Sequence, residues 1–437
     1  MKKEKISVGI IGFGTVGTGT ARILLENKDV IRKRVGFDVV LKRIADLDIK
    51  RDRGIKVPEG MFTTDARDII NDPEIDIVVE LMGGIHPAKD FIIQAIQNKK
   101  HAVTANKALL ATEGNDIFAE AHKNGVEVGF EASVAGGIPI IKVIREGLVA
   151  NNMLAIYGII NGTSNYILTK MTNEKVEFSD ALKEAQRLGY AEADPTFDIE
   201  GIDTAHKLTI LSSLAYGIPL SYGEVYKEGI TRLTAQDIEF ASELGYKMKL
   251  LAIAKSENGE IEMRVHPTMV PHEYLISKVD GVFNAIYVEG DAVGSTLYYG
   301  RGAGDMPTGS AVVADIVDIG KKIVQGLEFR VQSLESKAQE TAYRIKKMED
   351  IESMYYFRFS ALDKPGVLSK ISGILGNYNI SIASVIQKGR RIGGSVPLVV
   401  LTHMARERDV LKAVKEIDDL PVVSDKTMFV RVEGRGE

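Results

Sequence analysis

ISVGIIGFGTVGTGTARILL, residues 6–25, decides the fold. Its first part, 6–11, reads as a short apolar strand; GFGTVG follows at once, and an apolar helix continues through Ala21 and Leu25. Strand, Gly-x-Gly-x-x-Gly and helix in that order is the setting a dinucleotide fingerprint needs. Gly12 allows the tight turn, Gly14 lets a pyrophosphate approach the backbone, and Gly17 lets the helix pack closely on the strand. Phe13, Thr15 and Val16 complete the same cofactor-binding turn. The helix N-terminus faces the phosphate charge.

The alternation continues downstream. A strand over 37–45 ends at Asp46. An acid there binds the ribose 2′-hydroxyl of NAD and repels the 2′-phosphate of NADP. Its distance from the glycines exceeds the usual ~20 residues, which an extension of the first helix through 27–34 accounts for. Lys50, Arg51 and Arg53 follow and offer charge to a 2′-phosphate, so the sequence favours NAD slightly and leaves NADP open. Strands over 75–81, 101–105 and 126–130 alternate with helices over 86–98 and 109–122. This is the pattern of an α/β fold with a Rossmann-type doubly wound parallel sheet. Ligands sit at the carboxyl ends of such strands, where ELMGG (Glu80 to Gly84) and TANK (Thr104 to Lys107) fall. A cation at a helix start opposes the helix dipole. Lys107 therefore has a functional reading beside that of a solvated lysine.

At 437 residues the chain exceeds one domain. With 45% hydrophobic and 26% charged residues it has an ordinary globular mix. A net charge of −5 gives no basic footprint for nucleic acid. The absence of cysteine excludes disulfides, thiolate metal sites and aldehyde oxidation through a thioester. MKKEKISVGI enters a strand without a long apolar signal region, and no apolar run is long enough to span a bilayer. The expectation is a cytoplasmic protein with no membrane partner.

The middle of the chain carries a second polar feature, GYAEADPTFDIEGIDTAHKLTIL over 189–211. Glu192, Asp194, Asp198, Glu200 and Asp203 crowd a short loop before an apolar-periodic helix with Lys207. Asp203 and Lys207 are four apart and share a helix face, which a surface ion pair also explains. An acid-lined loop suits a cationic small molecule, and a lysine set against it can move a proton once burial or a second cation lowers its pKa. Upstream, Glu131 ends a strand before a small-residue loop whose carbonyls can face a hard cation; a plain strand-to-helix turn is the alternative. NGTSNY over 161–166 starts a helix with Thr163 or Ser164 as cap. Strands over 250–255 and 261–265 flank an Asn-Gly hairpin turn at Asn258. Another pair, 285–289 and 295–299, precedes GRGAG, whose glycines Gly300, Gly302 and Gly304 permit close approach to a cofactor.

Residues 328–351 read as a charged helical connector, and 355–432 as strand, helix, two strands, helix, strand, a ferredoxin-like plan. Its first turn, DKPGVL, places Asp363, Pro365 and Gly366 where backbone amides can hold an anionic group. Metabolite sensing and dimerisation both fit such a module.

GFGTVG, TANK, FEASVAGGIP, NGTSNYI, GYAEADP…D…GIDTAHK, GRGAG…PTGSAVVAD and DKPGVL, in that order, resemble homoserine dehydrogenase with a C-terminal ACT domain over nearly the whole chain. The resemblance implies a Rossmann domain over 1–134 completed by about 300–328, an α+β substrate and dimerisation domain over 135–300, the connector over 329–353 and the ACT domain over 354–437. It implies Lys207 as catalytic proton donor and acceptor, and Lys107 between nicotinamide and substrate. Homoserine or L-aspartate 4-semialdehyde would be bound by Glu192, Asp203, Asp198 and Tyr190, with Gly162 and Thr163 from NGTSNY. Gly189, Gly302, Ala303 and Gly304 would contact the cofactor. Glu131, Val134, Gly136 and Ile138 would hold a structural sodium ion. Asp46 departs from the basic residue of NADP-preferring members. An amino-acid effector, threonine, and a homodimer or homotetramer complete the expectation. The rival readings are a non-catalytic, nucleotide-binding amino-acid sensor, and an oxidoreductase for another amino-acid alcohol.

Overall fold

The computed structural model describes residues 3–327, 343–388 and 394–434. The chain forms two compact units, each assembled from three segments: Met1–Gly162, Asp203–Val225 and Val282–Tyr343; and Thr163–Ile202, Tyr226–Gly281 and Arg344–Glu437.

The first unit is built on β1 (Lys5–Ile11), β2 (Asp38–Ala45), β3 (Phe62–Thr63), β4 (Ile77–Glu80), β5 (His101–Thr104) and β6 (Val128–Gly129). They form one parallel sheet in the order β3-β2-β1-β4-β5-β6. The winding reverses between β1 and β4, so their carboxyl ends open a crevice there. IVVE in β4 and HAVT in β5 are buried at every position, as strands of a sheet covered on both faces must be. The last strand is shorter than the periodicity predicts, because after Phe130 the chain turns into the 3₁₀ segment Glu131–Ser133. The first helix, Thr15–Glu26, stops at Asn27, and its expected extension is a separate helix, Lys28–Val35.

The late helix Asp305–Gln325 joins this sheet. A Cβ on Gly19 would strike the backbone of Asp305, and one on Gly309 the backbone of Gly19. The two helices thus touch backbone to backbone, and Val312, Ile316 and Ile319 enter the core of Ile6, Val8 and Ile10. Strands Met153–Ile159, Phe283–Gly290 and Gly294–Arg301 pair antiparallel in the same unit. Helix Ile202–Tyr216 is buried at nearly every position, including its polar residues Asp203, His206 and Lys207.

In the second unit, strands Tyr246–Glu257 and Glu260–Pro271 form the expected hairpin, longer than its apolar run suggests. Asn258 and Gly259, at φ 51° and 79°, supply the two left-handed residues of its turn. The C-terminal plan is as the sequence indicates: strands Glu352–Leu362, Ile382–Gln387, Ser395–Thr402 and Met428–Val432 with helices Val367–Asn377 and Glu407–Asp418. The first strand lies between the third and the last, and the second is outermost. The expected helical connector is not helical in its described part. Arg344–Ile345 is a strand against Glu260 and Ile261, and Met348–Asp350 is a single 3₁₀ turn. The open edge of the hairpin captures the segment through Arg344 N to Gly259 O and Lys346 N to Ile261 O, outweighing its helix propensity; the remainder of the connector, 328–342, lies outside the described residues.

Candidate active site

The glycine turn has the shape its spacing predicts. Gly12 sits at φ 98°, and a Cβ there would come within 2.7 Å of the Leu81 carbonyl. A Cβ on Gly17 would strike the Gly12 carbonyl oxygen. Around Gly14 there is open space. Gly14 is also the N-cap of Thr15–Glu26 and provides no side-chain cap, so the amides of Thr15 and Val16 begin a helix suited to an anion. The residues therefore fit a dinucleotide.

At the ribose end the two sequence alternatives are one structure. Asp46 Oδ2 accepts from Phe13 N at 2.6 Å, and Oδ1 accepts from Asp48 N at 2.8 Å and Arg53 Nη2 at 3.1 Å. The Arg53 guanidinium lies 5.1 Å from the centre of the Phe13 ring. Lys50 and Arg51 are exposed.

Helix Ile202–Tyr216 carries Asp203 and Lys207 on adjacent turns, only 3% and 8% exposed. This overturns the surface-pair alternative. Lys207 Nζ lies 2.7 Å from Asp203 Oδ2 and donates to Ile160 O at 2.7 Å. Lys107 Nζ, launched from the start of helix Lys107–Asn124, lies 3.0 Å from Asp203 Oδ1. Asn161 Nδ2 donates to Asp203 Oδ2 at 2.9 Å. Burial opposes ionisation of Asp203, but Lys207 and Lys107 outweigh it and hold the carboxyl well below the usual carboxylate range. The resemblance places Lys107 between nicotinamide and substrate; the structure adds that the Asp203 carboxylate lies between Lys107 and Lys207. Sequence reasoning missed Asn161, whose only signal was its place at the head of NGTSNY.

In the second unit, Thr163 Oγ1 donates to Tyr190 O at 2.6 Å and Ser164 Oγ to Asp198 O at 3.0 Å. Both residues lie inside helix Gly162–Glu174 rather than at its cap position, which the sequence reading had given them, and their hydroxyls donate to carbonyls of the acid-rich loop. Tyr190 packs against Tyr166 with the rings tilted and their centres 4.9 Å apart. Gly189, Tyr190 and Glu192 are exposed and Asp198 is half-buried. The loop contains a short helix, Thr196–Ile199, which its composition did not indicate.

Glu131 is buried, and its carboxylate accepts from Ile141 N at 2.9 Å and Lys142 N at 2.8 Å. Burial pushes its carboxyl upward against those two amides. Asp315 accepts from Glu131 N at 2.8 Å, and burial pushes it up to about 8. Between Val134 and Ile138 the loop is buried apart from exposed Gly137; Ala135 and Gly136 are at φ 55° and 53°. A Cβ on Gly136 would lie 2.5 Å from the carbonyl oxygen of Gly302, and Gly137 N donates to Arg301 O at 3.0 Å. The loop thus backs the segment with Gly302, Ala303 and Gly304. Among the described residues no three His, Cys, Asp or Glu gather as a metal site. The donors here are carbonyls and one carboxylate, an oxygen set that suits a hard cation. In the C-terminal module, Asp363 and Pro365 lead to Gly366 at φ 85°, the N-cap of Val367–Asn377.

Family models match the chain in three blocks: homoserine dehydrogenase NAD-binding domain over 12–131, homoserine dehydrogenase over 139–317 and ACT domain over 355–422. A homoserine dehydrogenase of Neisseria gonorrhoeae is 47% identical, covering 98% of this chain and 99% of its own length. The crystal structure of a homoserine dehydrogenase from Thiobacillus denitrificans superposes with a TM-score of 0.91 at 49% identity, covering 98% of each chain. A hyperthermophilic archaeal homoserine dehydrogenase mutant in complex with NADPH matches with a TM-score of 0.62 at 26% identity, covering 73% of this chain and 98% of that one.

Proposed function

Because the chain belongs to the homoserine dehydrogenase family of NAD(P)-dependent oxidoreductases, we propose that Lys207 is its proton donor and acceptor in the interconversion of L-aspartate 4-semialdehyde and L-homoserine. The observation that carries this reading is one buried carboxylate, Asp203, shared by Lys207 and Lys107. When bound, the nicotinamide supplies or takes the hydride at the carbonyl carbon. The chain's part is to place the substrate and to manage charge and proton at its oxygen. Asp203 and the Ile160 carbonyl aim Lys207, so Lys207 Nζ can protonate the forming alkoxide. Lys107 stabilises the same developing charge. Glu192, Asp198, Tyr190, Gly162 and Thr163 are the residues this reading assigns to substrate binding, the carboxylates to the substrate ammonium. The test is nicotinamide absorbance with L-homoserine and either NAD⁺ or NADP⁺, with and without threonine. Absence of turnover in folded, nucleotide-binding protein would overturn it.

NAD is the preferred cofactor in this reading, and Arg53 is the residue that admits NADP. A hydrogen bond to a charged group is worth about 1.5–3 kcal/mol. Arg53→Ala is therefore expected to lower kcat/KM with NADP⁺ by about tenfold or more while changing that with NAD⁺ far less. Equal losses with both cofactors would remove Arg53 from the ribose site.

Gly189, Gly302, Ala303 and Gly304 would contact the dinucleotide. Glu131 and the carbonyls of Val134, Gly136 and Ile138 would hold a sodium ion that braces the loop. Threonine would inhibit through the turn at Asp363, Pro365 and Gly366. The Rossmann, substrate and ACT domains would follow the divisions expected from sequence, and the enzyme would work in the cytoplasm. Among the described residues no helix is long and apolar enough to cross a membrane.

The partner we assign is a second copy of this chain. Strand pairing places Tyr157, Phe283, Tyr287, Leu297 and Tyr299 on one sheet face, all half-buried or, for Tyr299, 56% exposed. Aromatic residues of this kind are enriched in subunit interfaces. Tyr299→Glu should shift the mass from light scattering toward the monomer; an unchanged oligomer would place the interface elsewhere.

A further inference from the structure

We propose that Glu80 is a positioning residue for the reaction, fixing the turn that launches Lys107 toward Asp203. Glu80 ends β4 at the crevice and is fully buried. Oε2 accepts from Thr104 Oγ1 at 2.7 Å, at the end of the neighbouring strand, and Oε1 accepts from Met82 N at 2.7 Å. Thr104 Oγ1 in turn accepts from Asn106 N at 3.0 Å. Asn106 then acts twice. Its Oδ1 caps the helix by accepting from Leu109 N at 3.1 Å, and its Nδ2 donates to Gly84 O at 2.6 Å. Lys107 is the first residue of that helix.

One carboxylate is therefore wired to both walls of the crevice. On one side it holds the Leu81–Met82 peptide, against which Gly12 makes its tight turn. On the other it holds, through Thr104 and Asn106, the start of the helix whose Lys107 ammonium is 3.0 Å from Asp203. A fully buried carboxylate is costly unless its oxygens are satisfied. Here the partners lie at the end of β5 and in the loop that follows β4. A hydrophobic residue could fill the same space, but it would leave both loops without a common anchor. Groups that orient reacting partners need such support, since a misplacement of about 1 Å can cost ~10²-fold in rate.

The inference rests on Lys107 acting in the reaction, and a double-mutant cycle tests the two ideas separately. Glu80→Gln is expected to lower kcat by about 10-fold to 10²-fold, with the dissociation constant of the nucleotide nearly unchanged. In a Lys107→Ala background the same substitution should lower kcat less than about twofold, because residues acting through one another are not additive. If Lys107→Ala alone leaves kcat within a few-fold, the role of Lys107 fails. If Lys107→Ala is impaired and Glu80→Gln costs the same factor in both backgrounds, or nothing in either, Glu80 is not a positioning residue. Should Glu80→Gln not fold, Thr104→Val and Thr104→Ser decide the matter. Valine keeps the shape without the hydroxyl and should reproduce the loss, whereas serine restores the hydroxyl and should recover most of the activity. A silent valine, or a serine no better than valine, overturns the proposal.

Discussion

Lys207→Ala is expected to lower kcat for homoserine oxidation by about 10²–10⁴-fold, the range for losing a positioned acid/base group, while nucleotide affinity stays within a few-fold. The geometry explains why the loss falls on kcat. Lys207 is held from two sides, by Asp203 at 2.7 Å and by the Ile160 carbonyl at 2.7 Å. Its ammonium is thus pre-aimed before substrate arrives. The glycine turn that fits the dinucleotide lies on different elements, after β1, and contains none of these contacts. The substitution should also leave a folded protein, because Asp203 keeps Lys107 and Asn161 as partners. Steady-state kinetics with a parallel nucleotide titration checks both halves. A kcat within a few-fold of the parent would remove Lys207 from the proton transfer. A matching loss of nucleotide affinity would make its role structural.

The largest effect on stability is expected at Arg431. It lies in the last strand and is 1% exposed. It makes an ion pair with Glu407, itself 1% exposed, and donates to Glu228 Oε2 at 2.8 Å. Tyr355 Oη donates to Glu407 Oε2 at 2.6 Å, completing the carboxylate's partners. Burial opposes the charge on Arg431, but Glu407 outweighs it and raises its pKa above the ordinary arginine value. Arg431→Met strands Glu407 as a buried charge, and breaking a buried pair from one side typically costs about 3–5 kcal/mol. Chemical denaturation should show that loss in the transition of the second unit. Adding Glu407→Gln to Arg431→Met should recover part of it, because the uncompensated charge is then gone. If Arg431→Met unfolds at the parent's denaturant concentration, the pair contributes nothing net. If the double variant is less stable than the single one, stranded charge is not the cause.

Several elements were legible because their signals are local. GFGTVG between an apolar strand and an apolar helix specifies its own turn, since each glycine answers a steric demand within a few residues. Asn258–Gly259 supplies the two left-handed residues a tight hairpin needs. Short apolar strands alternating with helices indicate a parallel sheet, and DKPGVL marks the first turn of the C-terminal module. The described end of the connector departs from the expected helix for the converse reason. Its charged composition favours helix locally, but at Arg344 and Lys346 the open edge of a distant hairpin offers better hydrogen bonds.

The sequence by itself determined the classes of fold, the glycine turn and the residue types at the candidate site. Only the tertiary structure decided how those residues are charged and wired. Asp203 and Lys207 at helical spacing look the same on a solvated surface and in a core. Their meaning changed because helix Ile202–Tyr216 is buried nearly throughout and Lys107, far away in sequence, reaches the same carboxylate. Asp46 and Arg53 were competing ribose ligands in the sequence and are ion-pair partners in space. Glu80 and Asn161 carried no sequence signal beyond their positions. Hydrogen bonds across strand ends and desolvation depend on which chain segments meet, and no local pattern encodes that meeting.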